Sequence, residues 1–250
     1  MKFDGAFENQ VAVVTGGTRG IGRAITTAFL AAGARVHATY KSGEDTAHEL
    51  ARSLGARAER LALHRFDVAD YAQVQAFWEE MESVEPSGVH VLVSNAGLRR
   101  DAIVGTMKPE DWQAVLATNL TGSFHMAKFA VQSMLRNRYG RIVFVTSPAA
   151  QHGFAGQANY GASKAGQIGL MRSLAREVGK KKITANCVSP GFVDTELLAD
   201  LSDEAKRAHL ASVPVGRFGD PHEIAYAVLS LCSPHASYIN GATLEVTGGI

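Results

Sequence analysis

The feature that most constrains this chain is an alternation of short aliphatic runs with longer amphipathic stretches. It begins with Val11-Ala12-Val13-Val14, which leads directly into Thr15-Gly16-Gly17-Thr18-Arg19-Gly20-Ile21-Gly22. A continuous aliphatic run suits a strand buried on both faces, and parallel strands need a helical crossover between them. The pattern predicts a helix over 20–32 and a second strand over 35–39. It continues with strands near 60–66 and 89–93 around a helix over 71–83, then a long helix over 109–137 and a strand over 141–146. A helix over 159–179, a strand over 183–188, a helix over 221–232 and a strand over 242–246 complete the series. About seven strands with intervening helices give an α/β fold: a doubly wound parallel sheet with helices on both faces. Ligands of such a sheet sit outside the carboxyl ends of its strands, where the strand order reverses.

The 250 residues are 46% hydrophobic and 20% charged, enough to bury one large core. Without a Pro/Ser-rich linker, low-complexity run or internal repeat, residues 1–250 are expected to form a single domain. A net charge of +1 carries no field that would favour nucleic acid or an anionic membrane, so small molecules are the expected partners. Cys187 and Cys232 are too few for a disulfide framework, and the start lacks the pattern of a signal peptide, which fits a reducing cytoplasm. The apolar stretches break well short of the roughly 18 residues a membrane span needs. The histidines lack metal-ligand spacing, so no metal is expected.

Glycines between a buried strand and a helix permit a tight turn and close approach of a phosphate. Gly16, Thr18, Arg19, Gly20, Ile21 and Gly22 are therefore expected to line a dinucleotide, the alternative being a plain connecting loop. Folds that select NAD place an acid at the end of the second strand; here that strand ends Thr39-Tyr40-Lys41-Ser42. Arg19 and Lys41 suit a 2′-phosphate and favour NADPH, unless they are ordinary surface cations. Asp67 suits the adenine amino group with Val68 as a neighbouring wall, or else it caps the next helix.

Tyr160 and Lys164 stand four apart, on one face of a helix. An ammonium beside a phenol stabilises phenolate and brings its pKa down from about 10 toward the range of useful proton exchange. Ser147, at the end of a predicted strand, can address the same crevice and hold a substrate carbonyl.

Together, the TGxxxGxG pattern at 15–22, Asn95-Ala96-Gly97, Asn119, Ser147, Tyr160-x-x-x-Lys164 and Pro190-Gly191 resemble the short-chain dehydrogenase/reductase family, in its order and over essentially the whole chain. The resemblance implies a Rossmann-like single domain in which Tyr160 donates a proton. Lys164 binds the nicotinamide ribose and tunes Tyr160, Ser147 orients the carbonyl, and Asn119 holds a water in a proton relay. It also implies that Asn95, Ala96 and Gly97 support the cofactor pocket, and that Pro190, Gly191, Val193 and Thr195 lie beside the nicotinamide. Asn119 is otherwise a helix-bending polar residue inside the core.

Within the family, Asn95-Ala96-Gly97-Leu98-Arg99-Arg100-Asp101, Asn119-Leu120-Thr121-Gly122-Ser123-Phe124 and Ser173-Leu174-Ala175-Arg176-Glu177-Val178 look like β-ketoacyl-acyl-carrier-protein reductases of fatty acid or polyketide-type synthesis. The implied partner is an acidic acyl carrier protein docking at Arg138, Lys180, Lys181 and Lys182, near the site; the lysines otherwise only complement a helix C-terminus. The resemblance further implies a homotetramer and a helical lid over 196–213. Pro148, directly after Ser147, departs from the subfamily pattern and restrains Ser147 to extended backbone. The competing readings are an NADP-linked alcohol or sugar dehydrogenase and a non-catalytic nucleotide-binding scaffold.

Overall fold

A computed structural model describes residues 3–195 and 202–250. Seven strands, β1 (Val11–Thr15), β2 (Arg35–Tyr40), β3 (Leu61–Arg65), β4 (Val91–Ser94), β5 (Gly140–Val145), β6 (Ile183–Pro190) and β7 (Thr243–Val246), form one sheet in the order β3-β2-β1-β4-β5-β6-β7. Every neighbouring pair is parallel. The chain winds outward from β1 to β3 and then crosses back to β4, so the connections after β1 and β4 leave in opposite directions and open a crevice above Thr15 and Ser94.

The α-helices of the described residues are α1 (Gly20–Ala31), α2 (Glu44–Ser53), α3 (Tyr71–Val84), α4 (Pro109–Leu116), α5 (Gly122–Asn137), α6 (Ala158–Val178), α7 (Asp203–Ala211) and α8 (Pro221–Cys232). Alternate strand residues feed two cores. Val13, Leu92, Ile142 and Phe144 meet Phe77 and Trp78 of α3, Met126 and Met134 of α5 and Met171 of α6. Ala12, Val14, Val93, Val143 and Val188 meet Ile25 and Phe29 of α1 and Ile224 and Val228 of α8 on the other face. Each large apolar side chain so buried stabilises by about 1.5–3 kcal/mol. The strand ends are thus rigid platforms for the loops they carry.

Helix starts follow local chemistry. The Asp70 carboxylate accepts from the Ala72 and Gln73 N–H groups to cap α3, and Asp220 with Glu223 forms a reciprocal capping box ahead of Pro221 in α8. The cap of α3 is therefore Asp70, not Asp67.

Two departures from the sequence expectation have physical causes. Helix α2 was not anticipated, because only Ala47 and Leu50 of its ten residues are buried and its apolar stripe is too narrow to register. The helix expected over 109–137 is interrupted by a π turn, Ala117–Thr121, where the Gly122 N–H bonds back five residues to the Ala117 carbonyl. Of the expected lid, 196–201 lies outside the described residues, while α7 supplies helix over the later part.

Candidate active site

The glycine loop is shaped by contacts that exclude a side chain. A Cβ on Gly22 would stand 1.9 Å from the Gly16 carbonyl oxygen, and one on Gly16, at φ +61°, would stand 3.1 Å from the Ala96 Cα. The Asn95 amide donates to the Thr15 and Gly16 carbonyls at 3.0 and 3.1 Å, while the Thr15 hydroxyl accepts from the Asn95 and Ala96 N–H groups, both at 2.9 Å. The loops after β1 and β4 are thereby clamped together, which makes Asn95 a brace of the glycine loop itself. At the start of α1, Arg19 makes no side-chain cap and the first turn holds no acid, so the amino-terminal N–H groups remain available to an anion. Thr18 is buried behind this loop and Ile21 faces the cavity described below.

Arg19 is exposed, and no acid among the described residues forms an ion pair with it. Lys41 differs: its ammonium lies 2.6 Å from the Asp67 carboxylate. Two residues expected to serve separate parts of a cofactor are thus each other's partners, because β2 and β3 are neighbours and their carboxyl-end loops meet. The Val68 side chain is buried against Gly122 and its carbonyl bonds His125, so Val68 props the loop carrying Asp67 instead of offering a free apolar wall.

The opposite rim is the segment after β6. The Gly191 N–H donates to the Val246 carbonyl at 3.0 Å, and a Cβ there would stand 2.8 Å from the Thr247 Cα. Pro190 ends β6, Val193 bridges to Gly219, and the Thr195 methyl faces Gly20, joining this rim to the glycine loop.

Between the rims lies a cavity of about 580 Å³ whose wall includes Ser147, Tyr160, Lys164, Gly97, Arg99 and Phe192. Ser147 is extended, at φ −167° and ψ 153°, as Pro148 requires. Its Oγ accepts from the Ala149 N–H at 3.2 Å, which leaves its own proton to be donated. Burial pushes the Tyr160 phenol above its ordinary pKa; the Ser147 hydroxyl and the Arg99 guanidinium pull it back, and Asp101 adds to the rise. Lys164 is 3% exposed, donates to the Val145 carbonyl at 2.7 Å, and is held at about 8 by burial. Its ammonium stands 5.5 Å from the centre of the Tyr160 ring. Helix spacing brings Lys164 to the face of Tyr160, one of its three N–H groups is spent on the end of β5, and Arg99 is a second cation in the same cavity wall.

Asn119 sits in the π turn and is fully buried. Its Oδ1 accepts from the Leu98 N–H at 2.9 Å, its Nδ2 donates to the Leu98 carbonyl and to Ser163 Oγ, both at 3.1 Å, and its carbonyl accepts from Ser123 Oγ and Gln167 Nε2. Both lone pairs of that carbonyl are taken by side chains, so Asn119 braces the π turn against α6 and the loop after β4. Ser163 passes the bracing on by donating to the Tyr160 carbonyl at 2.7 Å. Gln167, Ser123 and Ser163 belong to this network and escaped the sequence reading. The available signal was Gln167, a polar residue on the helix face shared by Tyr160 and Lys164.

Arg138 and Lys180 to Lys182 are exposed, but they precede β5 and β6, at the strands' amino ends. The six residues of β5 put about 20 Å between them and Ser147, so these cations are not near the cavity of their own chain. Among the described residues no group of three or more His, Cys, Asp or Glu could hold a metal ion, and no helix is long and apolar enough to cross a membrane.

Comparison with known proteins agrees with this geometry. A family model described as Enoyl-(Acyl carrier protein) reductase matches residues 16–250. The 3-oxoacyl-[acyl-carrier-protein] reductase FabG of Salmonella typhimurium is 44% identical over 245 residues, and that of Escherichia coli 43% over 244, each alignment covering 98% of both chains. The protein of the same name from Aquifex aeolicus is 40% identical over 246 residues, 97% of this chain and 98% of its own. A seven-stranded parallel sheet, a glycine loop at its switch point, a Ser-Tyr-Lys cavity beside it and this extent of identity place the chain in the short-chain dehydrogenase/reductase family, whose members use a nicotinamide cofactor.

Proposed function

We propose that the chain reduces the 3-keto group of an acyl thioester on acyl carrier protein to a 3-hydroxyl, with NADPH as the reductant, in fatty acid or polyketide-type synthesis. The observation that carries this reading is the convergence of the Ser147 and Tyr160 hydroxyls in one cavity beside the glycine loop. The relatives that span the full chain and are named for 3-oxoacyl reduction support the substrate class.

Gly16, Gly20 and Gly22 with Thr18 and Ile21 would hold the pyrophosphate side of the cofactor, and Asn95, Ala96 and Gly97 the middle. Pro190, Gly191, Val193 and Thr195 would hold its nicotinamide end. When bound, the cofactor supplies a hydride. Ser147 donates a hydrogen bond to the substrate carbonyl, keeping its proton, and fixes the carbonyl's direction, since the Oγ is already anchored by Ala149. Tyr160 gives its proton to the same oxygen as negative charge develops there. Lys164, inside the wall and near neutrality in proton affinity, holds the ribose and replenishes charge beside Tyr160. Asn119 positions the Tyr160 helix through Ser163. Arg19, exposed and without an acid partner among the described residues, favours a 2′-phosphate, with Lys41 a second cation, paired with Asp67.

In this reading residues 1–250 are one domain, with α7 at the cavity through His209. The chain assembles as a homotetramer, supported by apolar patches at Phe124 and Leu135 on α5 and at Tyr238, Ile239 and Leu244 around β7. Carrier docking at Arg138 and Lys180 to Lys182 then serves a neighbouring protomer's cavity.

The test is NADPH and NADH oxidation with acetoacetyl and crotonyl thioesters. Turnover of the acetoacetyl thioester, selective for NADPH and cut about 100-fold or more in Tyr160→Phe with cofactor binding retained, is expected of a general acid. Near-normal turnover by Tyr160→Phe, or reduction of the crotonyl thioester alone, refutes the assignment.

A further inference from the structure

On the face of β2 and β3 that packs against α3, ionisable groups form a hydrogen-bonded chain, and none of them lines the cavity. Arg35 Nη1 stands 3.0 Å from both oxygens of Glu85, which is buried just past α3. Glu85 Oε1 lies 2.9 Å from Nε2 of the buried His37, and His37 Nδ1 lies 2.9 Å from His64 Nε2. The two histidines are diagonal neighbours across the ladder, His37 opposite Ala62 and His64 opposite Thr39. Their ring centres are 5.1 Å apart, so the nitrogens, and not the ring faces, make the contact. At the far end, His64 Nδ1 is 3.9 Å from the exposed Glu80 of α3.

The Glu85 carboxylate, paired with Arg35, only accepts, so His37 Nε2 carries a proton. His37 Nδ1 then accepts from His64 Nε2–H or, once protonated, donates to a bare His64 Nε2. Either way one proton lies between the two nitrogens. If both rings are cationic, two N–H groups face each other across 2.9 Å with no acceptor between them. We propose that His37 and His64 form an acid-released latch between β2 and the edge strand β3, whose contact survives the first imidazolium and breaks with the second. Among the described residues, the charged groups facing the pair are Arg35 of β2, Glu80 of α3, Glu85 after α3 and His90 before β4, whose Nδ1 accepts from the Val11 N–H at 3.1 Å. Arg65 of β3 pairs instead with Glu44, while Glu79 and Glu82 of α3 bond Gln75 and Arg136. Burial and then His37 hold His64 below its ordinary pKa, against the pull of Glu80. The folded chain therefore binds fewer protons here than the unfolded chain as pH falls through about 6.5, and acid removes stability. The loss falls on β3 because it ends the strand order and has one ladder neighbour.

The experiment is hydrogen exchange of the whole protein, read by mass spectrometry between about pH 7.5 and about pH 5. Exchange of the imidazole C2–H, which follows protonation, is measured for His37 and His64 on their separate peptides. Amide exchange, corrected for its intrinsic pH dependence, is measured for the β2–β3 and β1–β4 ladders. The second of the two histidines to titrate is expected about one pH unit or more below the ordinary value of about 6.5. Over the same range the β2–β3 amides should gain about 10-fold in exchange relative to those of β1–β4, the factor that one pH unit carries. In His64→Gln, whose amide can still donate to His37 but takes up no proton, that gain should vanish. Independent titration of both histidines near about 6.5 overturns the proposal. So does an acid gain that persists in His64→Gln, which would lie with His90. Should that variant fail to fold, the titration of the two histidines in the parent protein decides alone.

Discussion

Replacing Lys164 by methionine should stabilise the protein near neutral pH while removing its activity. Lys164 is 3% exposed and its ammonium is held at about 8 instead of 10.5, with burial as the leading cause. At about 1.4 kcal/mol per pH unit, the folded chain bears a penalty of about 3 kcal/mol for keeping this group charged. Methionine keeps most of the stem and sheds the charge, but it leaves the Val145 carbonyl without its donor at 2.7 Å, a loss of roughly 1–3 kcal/mol. The net gain near pH 7 is about 1 kcal/mol, which for a chain of this size is a rise of about 2–4 °C in Tm.

The pH dependence is the sharper readout, since the Val145 contribution does not titrate. Between about 8 and 10.5 the folded parent binds fewer protons at Lys164 than the unfolded chain, so its stability rises with pH across that window. The penalty is fully present below about 8. Urea melts of the two proteins should therefore show the stability difference moving by about 2 kcal/mol between about pH 7 and about pH 9.5, from an advantage of Lys164→Met to a disadvantage of about 1 kcal/mol. A stability difference that is constant with pH would refute the claim that Lys164 is held charged at a cost.

Two further outcomes test the cradle and the docking reading. Gly22→Ala places a methyl 1.9 Å from the Gly16 carbonyl, and the loop shift needed to relieve it should weaken NADPH binding about 10-fold or more in titration calorimetry; an unchanged Kd would show that this loop does not cradle the phosphates. Reversing charge at Arg138 and Lys181 should raise KM for carrier-bound substrate and leave a small thioester analogue unaffected, whereas equal effects on both would remove the docking idea.

Much of the architecture was legible because its causes are local. Strands buried on both faces must be continuously aliphatic, so β1, β4, β5 and β6 stand out. Helix α2 was invisible because two buried residues make no periodic signal. The π turn at Ala117–Thr121 was invisible because a one-residue change of helical register leaves no mark on composition. The membership of Ser147, Tyr160 and Lys164 in one cavity was legible too, since helix spacing and strand ends suffice to bring them together.

What only the tertiary structure decided is the partner each polar side chain takes. Lys164 faces Tyr160 by helical spacing, yet it donates to the carbonyl of Val145, 19 residues away. Asn119 spends its hydrogen bonds on Leu98, Ser123, Ser163 and Gln167, contributed by other loops and helices. Lys41 and Asp67 become a pair only because β3 lies beside β2, and Arg138 and the Lys180 to Lys182 run end up remote from their own cavity because they precede the strands whose far ends build it. Burial periodicity along the chain determines which segments form the sheet, but hydrogen bonds and ion pairs depend on distances of a few ångströms between segments. Those distances exist only once the strand order is in place.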